Sequence, residues 1–335
     1  MCFKKKNMNH GYLEREEEPE DYIVGASGIE HIVRLPDGNW SNFLPADELQ
    51  RKGGVETMSC VSFGATSAIE MQINLLLNSG MLTSRAREFL SAYMIDGKVN
   101  FSDKYIAIKS ETTPQGNYLT KVAQTIREVG LIPESMLPFG NPESWGEYHN
   151  AAQITAEMDA LGQQFLELFV IQYEWVLTPN SSAGKTFDEN GATRMHHLKQ
   201  APLLIASHGH CTDFYFAIHK QKYGQYDSYS PFRKEKNWKY HVPYTMKILI
   251  TEKSEFTEAE MTEARRFALE LVSGKPSRIG FRHEAAGEAY RIEEDGSLKY
   301  KRGVPCPLFT SLCADGTVWG INEETWERLR AGLIK

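Results

Sequence analysis

From residue 60 onward the chain alternates between helical and extended patterns of apolar positions. Val61, Ala65, Ala68, Ile69, Ile73, Leu76 and Leu77 recur at the spacing of one helix face until Asn78-Ser79-Gly80 ends the run. This predicts a helix starting at Cys60, behind a flexible Gly53-Gly54 turn. Leu119 to Val129 and Ile154 to Phe169 read as further helices, and Val170 to Leu177 as a strand. Leu203 to Ala206 is continuously apolar, and Phe214, Phe216 and Ile218 alternate with less apolar positions, so both read as strands. His219 to Gly224 reads as a hairpin connection into Gln225-Tyr226-Asp227-Ser228-Tyr229, and Tyr240 to Thr251 as a closing strand. Thr178 to Asn190 reads as a polar loop and His196-His197 as a surface turn.

The ends differ from this middle. Residues 1 to about 22 are polar, with the acidic run Glu16-Glu17-Glu18-Pro19-Glu20-Asp21, and read as a mobile arm. After Thr251 come a charged amphipathic helix (Glu258 to Val272), short strands between Ser277 and Lys301, a turn at Ala314-Asp315-Gly316 and a last helix (Glu323 to Leu333). That segment reads as a small accessory α/β module in which Trp319 and Trp326 are core residues or a binding face. The divisions expected are a charged arm over 1–36, a main domain over 37–252 and the accessory domain over 253–335.

Composition narrows the function. The 335 residues are 41% apolar, enough for a sizeable core, and the net charge of −7 argues against a nucleic-acid surface. Neither a transmembrane run nor a secretory h-region is read, so the expectation is a cytoplasmic chain without membrane contact. Five scattered cysteines do not make a disulfide framework, which fits a reducing compartment.

Cys60 at a predicted helix start is the first candidate for chemistry. Helix-terminal N–H groups favour an anion, so a thiol there ionises more readily and becomes a nucleophile; the alternative is a small buried apolar residue. A nucleophilic cysteine needs a base and a group to orient it. Ser207-His208-Gly209-His210-Cys211 supplies histidines, and a hairpin after it would return Asp227 to the neighbourhood of His210. A second reading takes His208, His210 and Cys211 as zinc ligands, with the two histidines on one strand face. Gly184-Lys185-Thr186 is not a phosphate loop, because the required earlier glycine is Pro179.

At Cys60, His210 and Asp227-Ser228-Tyr229 the chain resembles the papain-like cysteine peptidases, which carry a Cys at the head of a long helix, a distant His on a strand, and an Asn-Ser-Trp on the next strand. Asp37-Gly38-Asn39-Trp40 is similar to the opening of that domain, and Gln115-Gly116-Asn117 with Glu134 to Phe139 to its Gly-Gly and Tyr-Pro-Tyr passage. Asn39-Trp40, Phe43-Leu44-Pro45, Glu48, Gln50 and Glu56-Thr57-Met58 resemble a divergent group associated with tailed-phage genomes, which implies virion association as the alternative to a cytoplasmic location.

The resemblance implies an α+β papain-like fold over 37–252, with a helical half bearing the Cys and a β-sheet half bearing the His. It implies hydrolysis of a peptide or amide bond by a Cys60-His210-Asp227 triad through a thioester, acting on a peptide, protein or cell-wall amide without cofactor or metal. A virion or other protein partner would dock through the C-terminal domain. Tyr229 would cover the His–Asp contact, and Gly116 and Asn117 would line the substrate site. The family's oxyanion glutamine is missing, since its position is Gly54; Gln50 would serve across a longer loop from Arg51 to Val55, whereas Glu56 would repel an oxyanion. A non-catalytic member of the fold, used structurally or for interaction, is the remaining reading.

Overall fold

The computed structural model describes residues 9–15, 32–237 and 244–253, together with the strand backbone of 282–283, 288–289, 291–292 and 298–299. Residues Met1–Ser79 with Arg85–Thr251 form one compact unit, and Gly80–Ser84 with Glu252–Lys335 a second. In the second unit, Arg282–His283 pairs with Glu288–Ala289 and Arg291–Ile292 with Leu298–Lys299, both antiparallel. The helices, the turn and the two tryptophans expected there lie outside the described residues.

The first unit mixes helix and sheet. Its central helix, α1 (Cys60–Asn78), has 15 buried residues out of 19, which is why its sequence is apolar around most of its circumference. Its length and composition are also those of a membrane-crossing helix, contrary to the sequence expectation, and it serves as the core helix of this unit. At its end the Ser79 amide bonds the Leu75 carbonyl, closing the last turn. Gly64 interrupts it for a packing reason: a Cβ there would stand 3.2 Å from the Cys211 sulfur. Against α1 lie α2 (Asp103–Lys109) and α3 (Leu119–Val129), and α4 (Ala156–Leu168) packs on α3.

The strands β1 (Phe169–Leu177), β2 (Leu203–Ser207), β3 (His210–His219), β4 (Lys222–Tyr226), β5 (Arg233–Asn237) and β6 (Tyr244–Glu252) form one six-stranded sheet in the order β1-β6-β2-β3-β4-β5. From β6 to β5 across the sheet every pairing is antiparallel. The apolar positions of β2 and β3 meet α1 in a core of Met71, Leu75, Leu203, Ile205, Phe214 and Trp40. The Trp40 indole donates to the Leu198 carbonyl at 2.7 Å, tying the chain's entry to the sheet side.

Three local expectations change. The segment read as a loop to Asn190 contains α5 (Phe187–Leu198), opened by a capping box in which Thr186 and Glu189 bond each other's backbone N–H. His196 and His197 therefore end a helix, and His197 is buried against the Lys247 ammonium at 3.2 Å. The hairpin between β3 and β4 turns at Lys220-Gln221, because pairing continues as far as His219↔Lys222.

Candidate active site

Cys60 opens α1 and is fully buried, its sulfur accepting from the Cys211 amide at 3.3 Å. Burial pushes its thiol well above the ordinary value, outweighing the Cys211 and Val61 amides that favour the thiolate. The helix terminus expected to ionise this thiol is thus overridden by desolvation in the conformation observed.

His210 begins β3, immediately before that amide. The β2–β3 hairpin is pinned by the pair Ser207↔His210, leaving His208 and Gly209 as a two-residue turn. Both turn residues have positive φ (53° and 78°), as a tight twisted hairpin requires. This overturns the premise of the zinc reading. His208 is exposed in the turn and Cys211 buried toward α1, so the histidines do not share a strand face. Among the described residues no group of three ligands could hold a metal ion.

The pair Asp213↔Tyr226 fixes the register of β3 and β4 and brings Asp227 back beside His210. His210 Nε2 lies 2.9 Å from Asp227 Oδ1, while Nδ1 is buried and makes no hydrogen bond. Lys234, which the sequence reading did not single out, holds the other carboxylate oxygen of Asp227 at 2.5 Å. Burial alone would raise the Asp227 carboxyl, but His210 and Lys234 together hold it below the usual carboxylate range.

Tyr229 packs edge-on to the His210 ring, with centroids 5.4 Å apart, and its backbone N–H bonds Asp227 Oδ1 at 3.1 Å. Its hydroxyl donates to Glu56, which raises the phenol further above its ordinary value after the larger effect of burial. Gln50 is fully buried and stands alongside Thr57, whose N–H and hydroxyl both bond the Gln50 carbonyl. The intervening segment is a tight hairpin, Arg51–Lys52 paired with Val55–Glu56, turning on Gly53 and Gly54 with φ of 61° and 88°. The loop is thus a hairpin and not an extended detour. The Gln50 amide nitrogen is within hydrogen-bond reach of Glu56 Oε1 (2.8 Å), the Tyr229 hydroxyl (2.9 Å) and the His10 carbonyl (2.9 Å). Glu56 is therefore an acceptor that orients Gln50 and Tyr229.

Residues 9–15, read from sequence as part of a mobile arm, run through this site. The amides of His10 and Tyr12 both donate to the Gly209 carbonyl, at 2.8 and 3.1 Å. On the other side the Asn117 amide donates to the Gly11 carbonyl (2.8 Å) and the Leu13 amide to the Asn117 carbonyl (2.9 Å). The His10 ring packs against both His210 (5.1 Å) and Tyr229 (5.0 Å). Gly116 and Asn117 thus meet a chain segment through their backbone, while the Asn117 side chain turns inward to Ser110 and Thr112. The signal in the sequence was small: a histidine, a glycine and a tyrosine in an otherwise charged arm.

No family model and no curated protein sequence matches this chain. Among solved structures it is similar to digestive procathepsin L 3 of Tenebrio molitor larval midgut, at 14% identity and a TM-score of 0.42, over 71% of this chain and 75% of that one.

Proposed function

We propose that the chain is a papain-like cysteine hydrolase of peptide or amide bonds, with Cys60 as nucleophile, His210 as base and Asp227 as the group that orients the imidazole. The observation that carries this reading is His210: Nε2 is bonded to Asp227, and Nδ1 is buried and unbonded beside the strand amide that contacts the Cys60 sulfur. With Nε2–H donated to the carboxylate, Nδ1 is the free base. It takes the thiol proton as sulfur attacks the carbonyl carbon; the oxyanion accepts from the Cys60 N–H and the Gln50 amide. Collapse expels the amine, which leaves with the proton from His210, and water then cleaves the thioester by the same base. The raised thiol supports a mechanism in which proton transfer accompanies attack, in place of a resting thiolate.

The test uses the full chain carrying Tyr12→Ala, which loosens the segment over Cys60, and an irreversible electrophilic peptide inhibitor. The expected result is covalent mass on Cys60, absent when His210→Ala is added. Equal modification of both chains would remove His210 from the mechanism. Modification only at other residues, while iodoacetamide reaches Cys60, would remove Cys60.

A further inference from the structure

Residues 9–13 of the chain lie across the candidate site, and the manner of occupation is selective. Gly11 adopts φ +116°, and a Cβ on it would collide with the Met58 carbonyl. Gly116, at φ +113°, faces it from the opposite side, and a Cβ there would collide with the Gly11 backbone. Gly209 is the third close approach, its Cβ position standing 3.0 Å from Asn9. Backbone thus closes both faces of the slot through which Gly11 passes. A flexible side chain could give way; main chain held by α1 and by the bonds around Asn117 cannot. Met58 itself has φ 57°, with its N–H on the Glu56 carboxylate at 3.2 Å, so the wall it forms is fixed from behind.

Polar contacts define the register of the occupant. The carbonyl before the glycine is held by Gln50, and the amides on either side of it by Gly209. The residue after it, Tyr12, is buried edge-on to Tyr244 with centroids 6.1 Å apart. Tyr244 also donates to the Arg15 carbonyl at 3.3 Å. The bonds to Gln50 and Gly209 are ones any peptide backbone could make; the Tyr12 and His10 rings add side-chain anchors, and at the position between them the closed slot is what discriminates.

We propose that the cleft over Cys60 selects peptides with glycine at the residue lying between Met58 and Gly116, and that His10-Gly11-Tyr12 is its cis-acting occupant. This rests on the hydrolase reading for its biological use, but its test reads occupancy and not turnover. The full-length chain and its Gly11→Ala variant are compared by the rate at which iodoacetamide alkylates Cys60, mapped by mass spectrometry. The variant should react about tenfold faster or more, because one methyl group forced against main chain expels the segment. The peptides Asn-His-Gly-Tyr-Leu and Asn-His-Ala-Tyr-Leu are then added to the variant. The glycine peptide should restore protection at a concentration about tenfold lower than the alanine peptide.

Tyr12→Ala, which removes the buried anchor and leaves the glycine in place, repeats the peptide comparison should Gly11→Ala lower the melting temperature. Equal protection by the two peptides, or none by either, overturns the glycine slot. Alkylation of the unmodified chain as fast as either variant overturns the cis-acting occupant. Retained protection without any peptide turnover would instead count against the hydrolase reading alone.

Discussion

Two polar pairs on one sheet are finished in different ways. Lys247 on β6 meets Glu174 on β1 at 2.7 Å with both side chains fully buried, and the same ammonium also reaches His197 and Gln200. His210 and Asp227 stand 2.9 Å apart at the sheet's other end, with the histidine 19% and the aspartate 2% exposed. Asp227 is saturated by His210, Lys234 and the Tyr229 amide, whereas the imidazole keeps one nitrogen uncommitted. In the first pair the ammonium is spent on Glu174 of β1 and on His197 and Gln200, at and just after the end of α5. In the second the carboxylate is fixed and one imidazole nitrogen makes no hydrogen bond. Distance alone does not distinguish the two pairs; the uncommitted imidazole nitrogen does.

The contrast can be broken at either end. The largest expected effect is His210→Ala in the Tyr12→Ala chain, where kcat/KM for a peptide should fall by about 10⁴-fold or more with little change in melting temperature. A fall in stability with retained activity would put His210 with the structural pairs. Lys247→Met should do the reverse, costing about 3–5 kcal/mol in denaturant unfolding because it strands the buried Glu174 carboxylate. Adding Glu174→Gln should recover much of that loss, and no recovery would mean that the lysine stem, not the pairing, carries the stability.

A pH series sharpens the same comparison. The Asp227 carboxyl is held below its ordinary value, so the stability it contributes is present above the unfolded pKa of about 3.9 and is lost as pH falls through the lower folded pKa. Melting curves of the wild type and Asp227→Asn should therefore differ at neutral pH and converge in acid. A constant gap down to low pH would assign the loss to packing. The smallest effect is expected at Lys234, whose side chain is 32% exposed. Lys234→Met should change stability by less than about 1 kcal/mol and shift the Asp227 titration, followed by NMR, toward the ordinary carboxylate value.

Periodic segments were the most legible part of this chain. The run from Val61 to Leu77 anticipates α1, and Leu119 to Val129 matches α3, because one buried face writes itself into the spacing of apolar residues. Helix α5 escaped the same reading. Its buried face includes Asn190, Gly191, Arg194 and His197, none of them an apolar side chain that periodicity could register, and the capping box at Thr186 was the available sign. His208 was misread for a related reason: a hairpin residue at positive φ looks, in sequence, like the next residue of a strand. The arm was the least legible. Its docking uses main-chain amides and carbonyls from His10 to Leu13, which every residue but proline possesses, so composition could not announce it.

By itself the sequence determined where its thiol, imidazole and carboxylate side chains sit along the elements. Its apolar spacing put Cys60 at a helix start, and its strand pattern put His210 and Asp227 within one hairpin of each other. Only the tertiary structure decided the rest: that Asp227 is shared with Lys234, that Gln50 is brought beside Thr57 by a tight hairpin, and that Gly11 lies between two backbones. The physical reason is range. Periodicity records which face of an element is buried, while pairing, desolvation and steric closure depend on atoms far apart in the chain that meet only once it has folded.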